Sequence, residues 1–262
     1  MQVIIRPDTQ SAVKLTAAVL ADALRRNPEM TFGLATGATM EGVYAELVRL
    51  HREEKLDFST AKTFNLDEYI GVPADDKNSY RYYMNKNLFD HINIKKANTH
   101  LPDGMTADIA GEGARYEAAI KASGGLDLQL LGIGQDGHIG FNEPLSSLRS
   151  RTRDKLLAPQ TLKQNSIYFD PPESMPKRAF TMGIGTILDA RRIVMLVTGE
   201  SKSDIAAQAI EGPVSSQVTA SALQFHNNAT VILDEAAASK LKAKDYYQWC
   251  FENEPYWDAF RK

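Results

Sequence analysis

Short apolar runs alternate with amphipathic stretches along this chain, and most of the runs end in small or polar residues. Met1–Ile5 reads as a strand. Asp8 and Thr9 are candidate caps for a helix to about Arg26, with Val13, Ala17, Leu20 and Leu24 at helical spacing. Further strands are predicted at Thr31–Ala35, Ala61–Leu66, Leu126–Leu131, Arg192–Thr198 and Thr230–Leu233. Helices are predicted at Met40–Glu54, Ser79–Leu88, Ile109–Ala122, Ser203–Ile210 and Glu235–Lys244. Such alternation predicts an α/β fold: a doubly wound, mostly parallel, Rossmann-like sheet with helices on both faces. The run 145–177 breaks the rhythm. It holds Pro159, Pro171, Pro172 and Pro176, and reads as a long loop or lid.

Position then suggests function, because open α/β sheets bind ligands outside the carboxyl ends of their strands. Four predicted strands are followed by Thr36-Gly37-Ala38-Thr39, by Asp67-Glu68, by the loop GIGQDGHIGFNEP (132–144) and by Gly199-Glu200-Ser201-Lys202. The first leads straight into a helix. Small residues there let backbone N–H groups converge on an anion, aided by the helix N-terminus. The lysine of a Walker A loop is missing, so Lys202 is the candidate point charge for a phosphate.

The 132–144 loop holds Asp136, His138 and Glu143. Its first residues match GxGxxG, the dinucleotide fingerprint, but Gly140, Asn142 and Pro144 interrupt the helix that fingerprint requires. A metal site is the competing reading of Asp, His and Glu, yet no second histidine lies at ligand spacing. Carboxylates flanking an imidazole orient it and raise its pKa, so that it keeps a proton near neutrality. Asp67, directly after an apolar strand, fits a general base for a C–H proton. A phosphate cradle, a base and a proton relay suit isomerisation, deamination or lactone hydrolysis of a small phosphorylated sugar; spacing does not choose among them.

Composition bounds the partners. A net charge of −3 over 262 residues leaves no basic footprint for nucleic acid. No segment approaches the roughly 18 apolar residues of a membrane helix. The single cysteine, Cys250, and a start without a basic, apolar leader fit a cytoplasmic setting.

TFNLDEYIG (63–71), LGIGQDGHIGFNEP (131–144), SRTR (150–153), TMGIGTILDA (181–190) and ILDEAA (232–237) together resemble the glucosamine-6-phosphate deaminase (isomerising) group of the glucosamine/galactosamine-6-phosphate isomerase family. The likeness spans essentially the whole chain. It implies one domain over 1–262 with a lid at about 153–182, and conversion of glucosamine 6-phosphate to fructose 6-phosphate and ammonia in amino-sugar catabolism. Galactosamine 6-phosphate, or a lactone as in 6-phosphogluconolactonases, are the alternative substrates. By position, His138 would open the sugar ring, Asp136 and Glu143 would tune it, and Asp67 would take the C2 proton. Thr36 to Thr39 and Lys202 would hold phosphate, and Phe169 keeps an aromatic lid position. No metal or organic cofactor is implied. Some hexameric relatives are activated by N-acetylglucosamine 6-phosphate at a subunit interface. The resemblance therefore carries an expectation of a homo-oligomer, with activator contacts at Ser146, Arg153 and Lys155. The chain departs from the family pattern at Ala38 and Met40 in the phosphate loop, where Ala38 restricts the backbone if φ must be positive there, at Ile167 where many relatives carry a phosphate-binding arginine, and at Leu156, which replaces a hydroxyl residue of the activator pattern.

Overall fold

The structure is a computed structural model that describes residues 1–261. In chain order its elements are β1 (Gln2–Arg6), α1 (Thr9–Arg26), β2 (Thr31–Leu34), α2 (Ala38–Glu54), β3 (Lys62–Asn65), β4 (Asp67–Tyr69), α3 (Tyr80–Met84) and β5 (Thr99–His100). They continue as α4 (Ile109–Ala122), β6 (Leu128–Leu131), β7 (Arg153–Leu156), α5 (Pro159–Asn165), β8 (Arg178–Thr181) and α6 (Ile184–Leu188). The last are β9 (Ile193–Val197), α7 (Ser203–Glu211), β10 (Ala229–Asp234) and α8 (Lys244–Asn253).

Seven strands form one parallel sheet in the order β1-β10-β9-β6-β2-β3-β5. Strands β6, β9 and β10 are buried along their whole length, as parallel strands covered on both faces must be. The predicted doubly wound, mostly parallel sheet is therefore present. Helix α1 starts where Asp8 accepts the Ser11 N–H at 2.7 Å, and its apolar stripe packs on β1, β9, β10 and α2. Among the described residues no helix is long and apolar enough to cross a membrane.

The order of the sheet carries the functional consequence. Strands β9, β6, β2 and β3 are neighbours, and they are the four whose trailing loops hold Lys202, His138, Thr36–Thr39 and Asp67. Parallel strands put those loops on one edge of the sheet.

A second, antiparallel sheet of three strands, β4-β8-β7, sits beside this edge. Leu66 is the seam between the two sheets: its N–H bonds the Leu34 carbonyl, and its own carbonyl accepts the Met182 N–H. Asp67 opens β4 opposite Thr181.

Three expectations are corrected. Residues 235–240 are turns and 241–243 irregular, not a helix, and the helix is α8, further along. There the Asp234 carboxylate takes the Ala237 N–H at 2.8 Å and its carbonyl takes the Ala238 N–H, a local pattern that closes the chain into turns. The run 145–177 is not all loop. It contains β7, an edge strand whose pairing partner β8 lies some 25 residues on, and α5, which opens with Pro159 at its first turn. The helix predicted over Ser79–Leu88 is a short α3, capped by Ser79, that widens into a π-helical turn at Asn85–Phe89.

Candidate active site

One cavity of about 400 Å³ opens at the carboxyl edge of the main sheet, within the range of small-molecule sites. Asp67, His138, Lys202 and residues 36–39 all line it, as does Phe169. Asp136 and Glu143 stand behind the imidazole and are absent from its wall.

His138 is held by its own loop. The Gly134 N–H donates to the His138 carbonyl at 2.8 Å, and the ring lies against the Gly134 α-carbon. A β-carbon at residue 134 would stand 2.5 Å from ring Cε1 and 2.6 Å from both ring nitrogens, so only glycine lets the ring lie there. Nδ1 sits 2.7 Å from Asp136 Oδ1 and 3.5 Å from Glu143 Oε2. Neither contact is aligned as a linear hydrogen bond, and the proton on Nδ1 faces two carboxylates at once. Burial opposes charge on the ring, but the hydrogen-bonding and charge of Asp136 and Glu143 overcome it and raise the imidazole to about 9. Burial likewise works against both carboxylates, and the imidazolium still holds each below its ordinary range. The three groups lie within 4.8 Å of one another, a spacing that would also admit a cation. The 2.7 Å between Nδ1 and Asp136 Oδ1 is the distance of a close charge-assisted contact.

Asp67 is 5% exposed, and among the described residues nothing donates a hydrogen bond to its carboxylate. Burial first, then the neighbouring Glu68 charge, push it up to about 8, offset in part by His138. The His138 loop passes directly beside it: a methyl on Gly140 would lie 3.5 Å from Asp67 Oδ2. An unpaired carboxylate and a protonated imidazole thus face one cavity.

Residues 36–39 and Lys202, expected to hold an anion, line the same cavity. Gly37 caps α2 without any side-chain bond, and it carries the positive φ of 109°; the Met40 N–H is taken by the Gly37 carbonyl at 2.9 Å, which leaves the Ala38 and Thr39 amides at the helix start. Ala38 is the first helical residue, so the concern that it restricts a left-handed position is removed. Lys202 donates to the Ile133 carbonyl at 2.8 Å, which ties it to the β6 loop; burial lowers its pKa, while Asp136 acts the other way. Asp234 takes the Gly199 N–H at 3.0 Å and the Thr9 hydroxyl at 2.6 Å, and so fixes the turn before Lys202.

The segment between β7 and β8 covers one side of the cavity. Thr161, Gln164, Asn165 and Tyr168 line it, together with the buried Phe169, whose ring packs edge-on against Tyr69 at 5.4 Å. Asn165 donates to the Tyr69 hydroxyl at 3.1 Å, and Tyr80 does so at 3.2 Å. These polar residues escaped the sequence reading, although 161, 164, 165 and 168 have helical spacing; the prolines around them hid it. Ile167 is 73% exposed and off the cavity, so no arginine-like role falls on its side chain. Glu143 reaches this segment too, accepting the Ala158 N–H at 2.9 Å. Ser146 is buried with an unpartnered hydroxyl, while Arg153 and Lys155 lie two apart on β7. Arg153 donates to Asn142 Oδ1 at 2.9 Å, next to Glu143.

Comparison with known proteins agrees with this architecture. A family profile described as glucosamine-6-phosphate isomerases/6-phosphogluconolactonase matches residues 8–232. The glucosamine-6-phosphate deaminase of Rhodococcus opacus (strain B4) is 48% identical over 260 residues, covering 99% of this chain and 100% of the relative. A solved monomeric glucosamine-6-phosphate deaminase superposes with a TM-score of 0.90 at 44% identity, covering 92% of this chain and 100% of the other. A 6-phosphogluconolactonase from Trypanosoma cruzi shares the fold at TM-score 0.74 and 21% identity, over 92% of this chain and 97% of its own. This chain belongs to the glucosamine-6-phosphate isomerase/6-phosphogluconolactonase family.

Proposed function

We propose that this enzyme is an isomerising glucosamine-6-phosphate deaminase. The observation that carries the reading is the pair of facing groups, an unpaired buried Asp67 and an imidazolium at His138, in a cavity whose wall includes a helix N-terminus and Lys202. Near-full-length identity to enzymes named glucosamine-6-phosphate deaminase supports the same substrate.

The phosphate rests on the α2 amides at Gly37–Thr39, beside the Thr36 hydroxyl and Lys202. His138 moves the proton from the anomeric hydroxyl to the ring oxygen, so the C1–O5 bond breaks and the aldehyde forms. Asp67 takes the C2 proton, leaving an enolamine across C1 and C2. A proton returned to C1 gives the C2 iminium; water adds there and ammonia leaves, giving fructose 6-phosphate. Asp136 and Glu143 favour the imidazolium, which gives its proton to the ring oxygen and regains one from the anomeric hydroxyl, and the 157–177 segment acts as the lid over the sugar. Lactone hydrolysis needs no carbanion, so it leaves the Asp67 carboxylate without a task.

Purified protein given glucosamine 6-phosphate is expected to release ammonia, with galactosamine 6-phosphate assayed alongside to set the epimer preference. The pH profile has a definite sign. Asp67 must be ionised, so kcat/KM rises as pH climbs through about 8. His138 must be protonated, so it falls above about 9. A narrow alkaline bell is expected, its limbs belonging to the interacting pair. No ammonia from either sugar removes the assignment.

The reading extends to N-acetylglucosamine 6-phosphate as an activator held by Ser146, Arg153 and Lys155 in a homo-oligomer, in a cytoplasmic enzyme of amino-sugar catabolism. The bond from Arg153 to Asn142 supports it, because it links those positions to the residue beside Glu143. Sigmoidal rate curves that turn hyperbolic with the activator are expected; curves unchanged by it would withdraw the activator.

A further inference from the structure

Glu68 stands next to the base and points away from the cavity, because successive residues of a strand face opposite ways. It is 3% exposed. Its carboxylate accepts the N–H groups of Tyr69 at 2.9 Å, Tyr80 at 2.9 Å and Arg81 at 3.0 Å. The last two are the opening amides of α3, so Glu68 staples β4 to that helix. α3 in turn presents Tyr80, whose ring packs on Tyr69 and Phe141 beside the cavity. The nearby Arg81 guanidinium is spent elsewhere, on the Thr99 hydroxyl at 2.7 Å and the Thr99 carbonyl at 3.0 Å. Among the described residues Glu68 has no ion-pair partner.

A buried carboxylate with no ion-pair partner, set beside a catalytic carboxylate, is expensive to keep. The three amides divide over both oxygens, Tyr69 and Tyr80 on Oε1 and Arg81 on Oε2, so a neutral amide side chain would meet two of them and turn an NH2 donor toward the third. We infer that Glu68 is a positioning residue for proton abstraction: it locks the strand that carries Asp67 and, by its like charge, keeps Asp67 a strong base. The inference rests on Asp67 being the base, as proposed above. The groups facing Asp67 are Glu68, His138 and the neutral phenols of Tyr44, Tyr69, Tyr80 and Tyr116. Glu68 is faced by Asp67 and by Arg81. Burial pushes Glu68 up to about 7, against the pull of its three amides, so it is ionised across the range in which Asp67 works.

The sign follows. Glu68→Gln keeps one oxygen for the Tyr69 and Tyr80 N–H groups, gives up the acceptor of the Arg81 N–H and removes the charge, so Asp67 ionises more easily and is a weaker base. The acid limb of kcat/KM for ammonia release is expected to move toward lower pH by on the order of one unit, with a several-fold lower plateau. A folded variant whose acid limb stays in place overturns the inference, whatever its rate. Should the variant not fold, carbon-13 titration of the Asp67 and Glu68 carboxyls in the unaltered protein serves instead. Mutually dependent steps are expected, and two independent single-site curves overturn it. That titration requires no turnover, so it also separates failure of this inference from failure of the assignment of Asp67 as base.

Discussion

Asp67→Asn is expected to lower kcat by roughly 10³-fold, within the 10²–10⁴ range of a general base, while leaving KM within a few-fold. The substitution is nearly isosteric. It keeps the start of β4 paired opposite Thr181 and leaves the amides of α2 and the Lys202 ammonium free for the phosphate. What it removes is the one unpaired buried carboxylate in the cavity. Exchange of the C2 hydrogen with deuterated solvent is the direct reading, since it reports proton abstraction apart from ammonia loss. Exchange at the unaltered rate in the variant would take the role of base away from Asp67.

Gly134→Ala is expected to lower kcat by about 10²-fold, although the residue carries no functional group. Its added methyl would fall 2.5 Å from the His138 ring, well inside van der Waals contact. The ring must move off the pair of carboxylates, or the loop that holds it must move. Either way the imidazole loses the neighbours that hold its proton against burial, and the alkaline limb of the pH profile shifts to lower pH. Strain of this kind costs about 1–3 kcal/mol, so thermal unfolding should show a modest loss. A variant with both its rate and its alkaline limb intact would mean that the imidazole position is not set by this contact.

The two substitutions differ in how visible their targets are in the amino-acid order. Asp67, Asp136, His138 and Glu143 announce themselves, because acids and a histidine on glycine-rich turns after apolar strands are costly unless used. Glu68 was in view and carried no role there, since its task depends on amides twelve and thirteen residues further on. Gly134 read as one glycine among several. Only the packed ring over its α-carbon shows why a side chain is excluded.

The segment between β6 and β8 shows the same division. Prolines marked it as irregular, and that was right for its connecting turns. Its strand β7 has little apolar pattern, being an edge strand with a mostly polar sequence, and it forms because β8 supplies a partner. Ile167 could be flagged from the sequence as a departure from the family pattern, but its outward direction is a property of the folded segment.

By itself, the order of residues determined the α/β class, most elements of the parallel sheet and the candidate residues that the fold gathers at the cavity. Those follow from hydrophobic period and turn chemistry, which act over a few neighbours. Tertiary structure alone decided that β9, β6, β2 and β3 lie side by side, that the chain changes sheets at Leu66, and that Asp136 and Glu143 stand behind the imidazole. These depend on contacts between segments distant in the chain, and on burial, which raises Asp67, whereas the charge on His138 is held against burial by the carboxylates beside it.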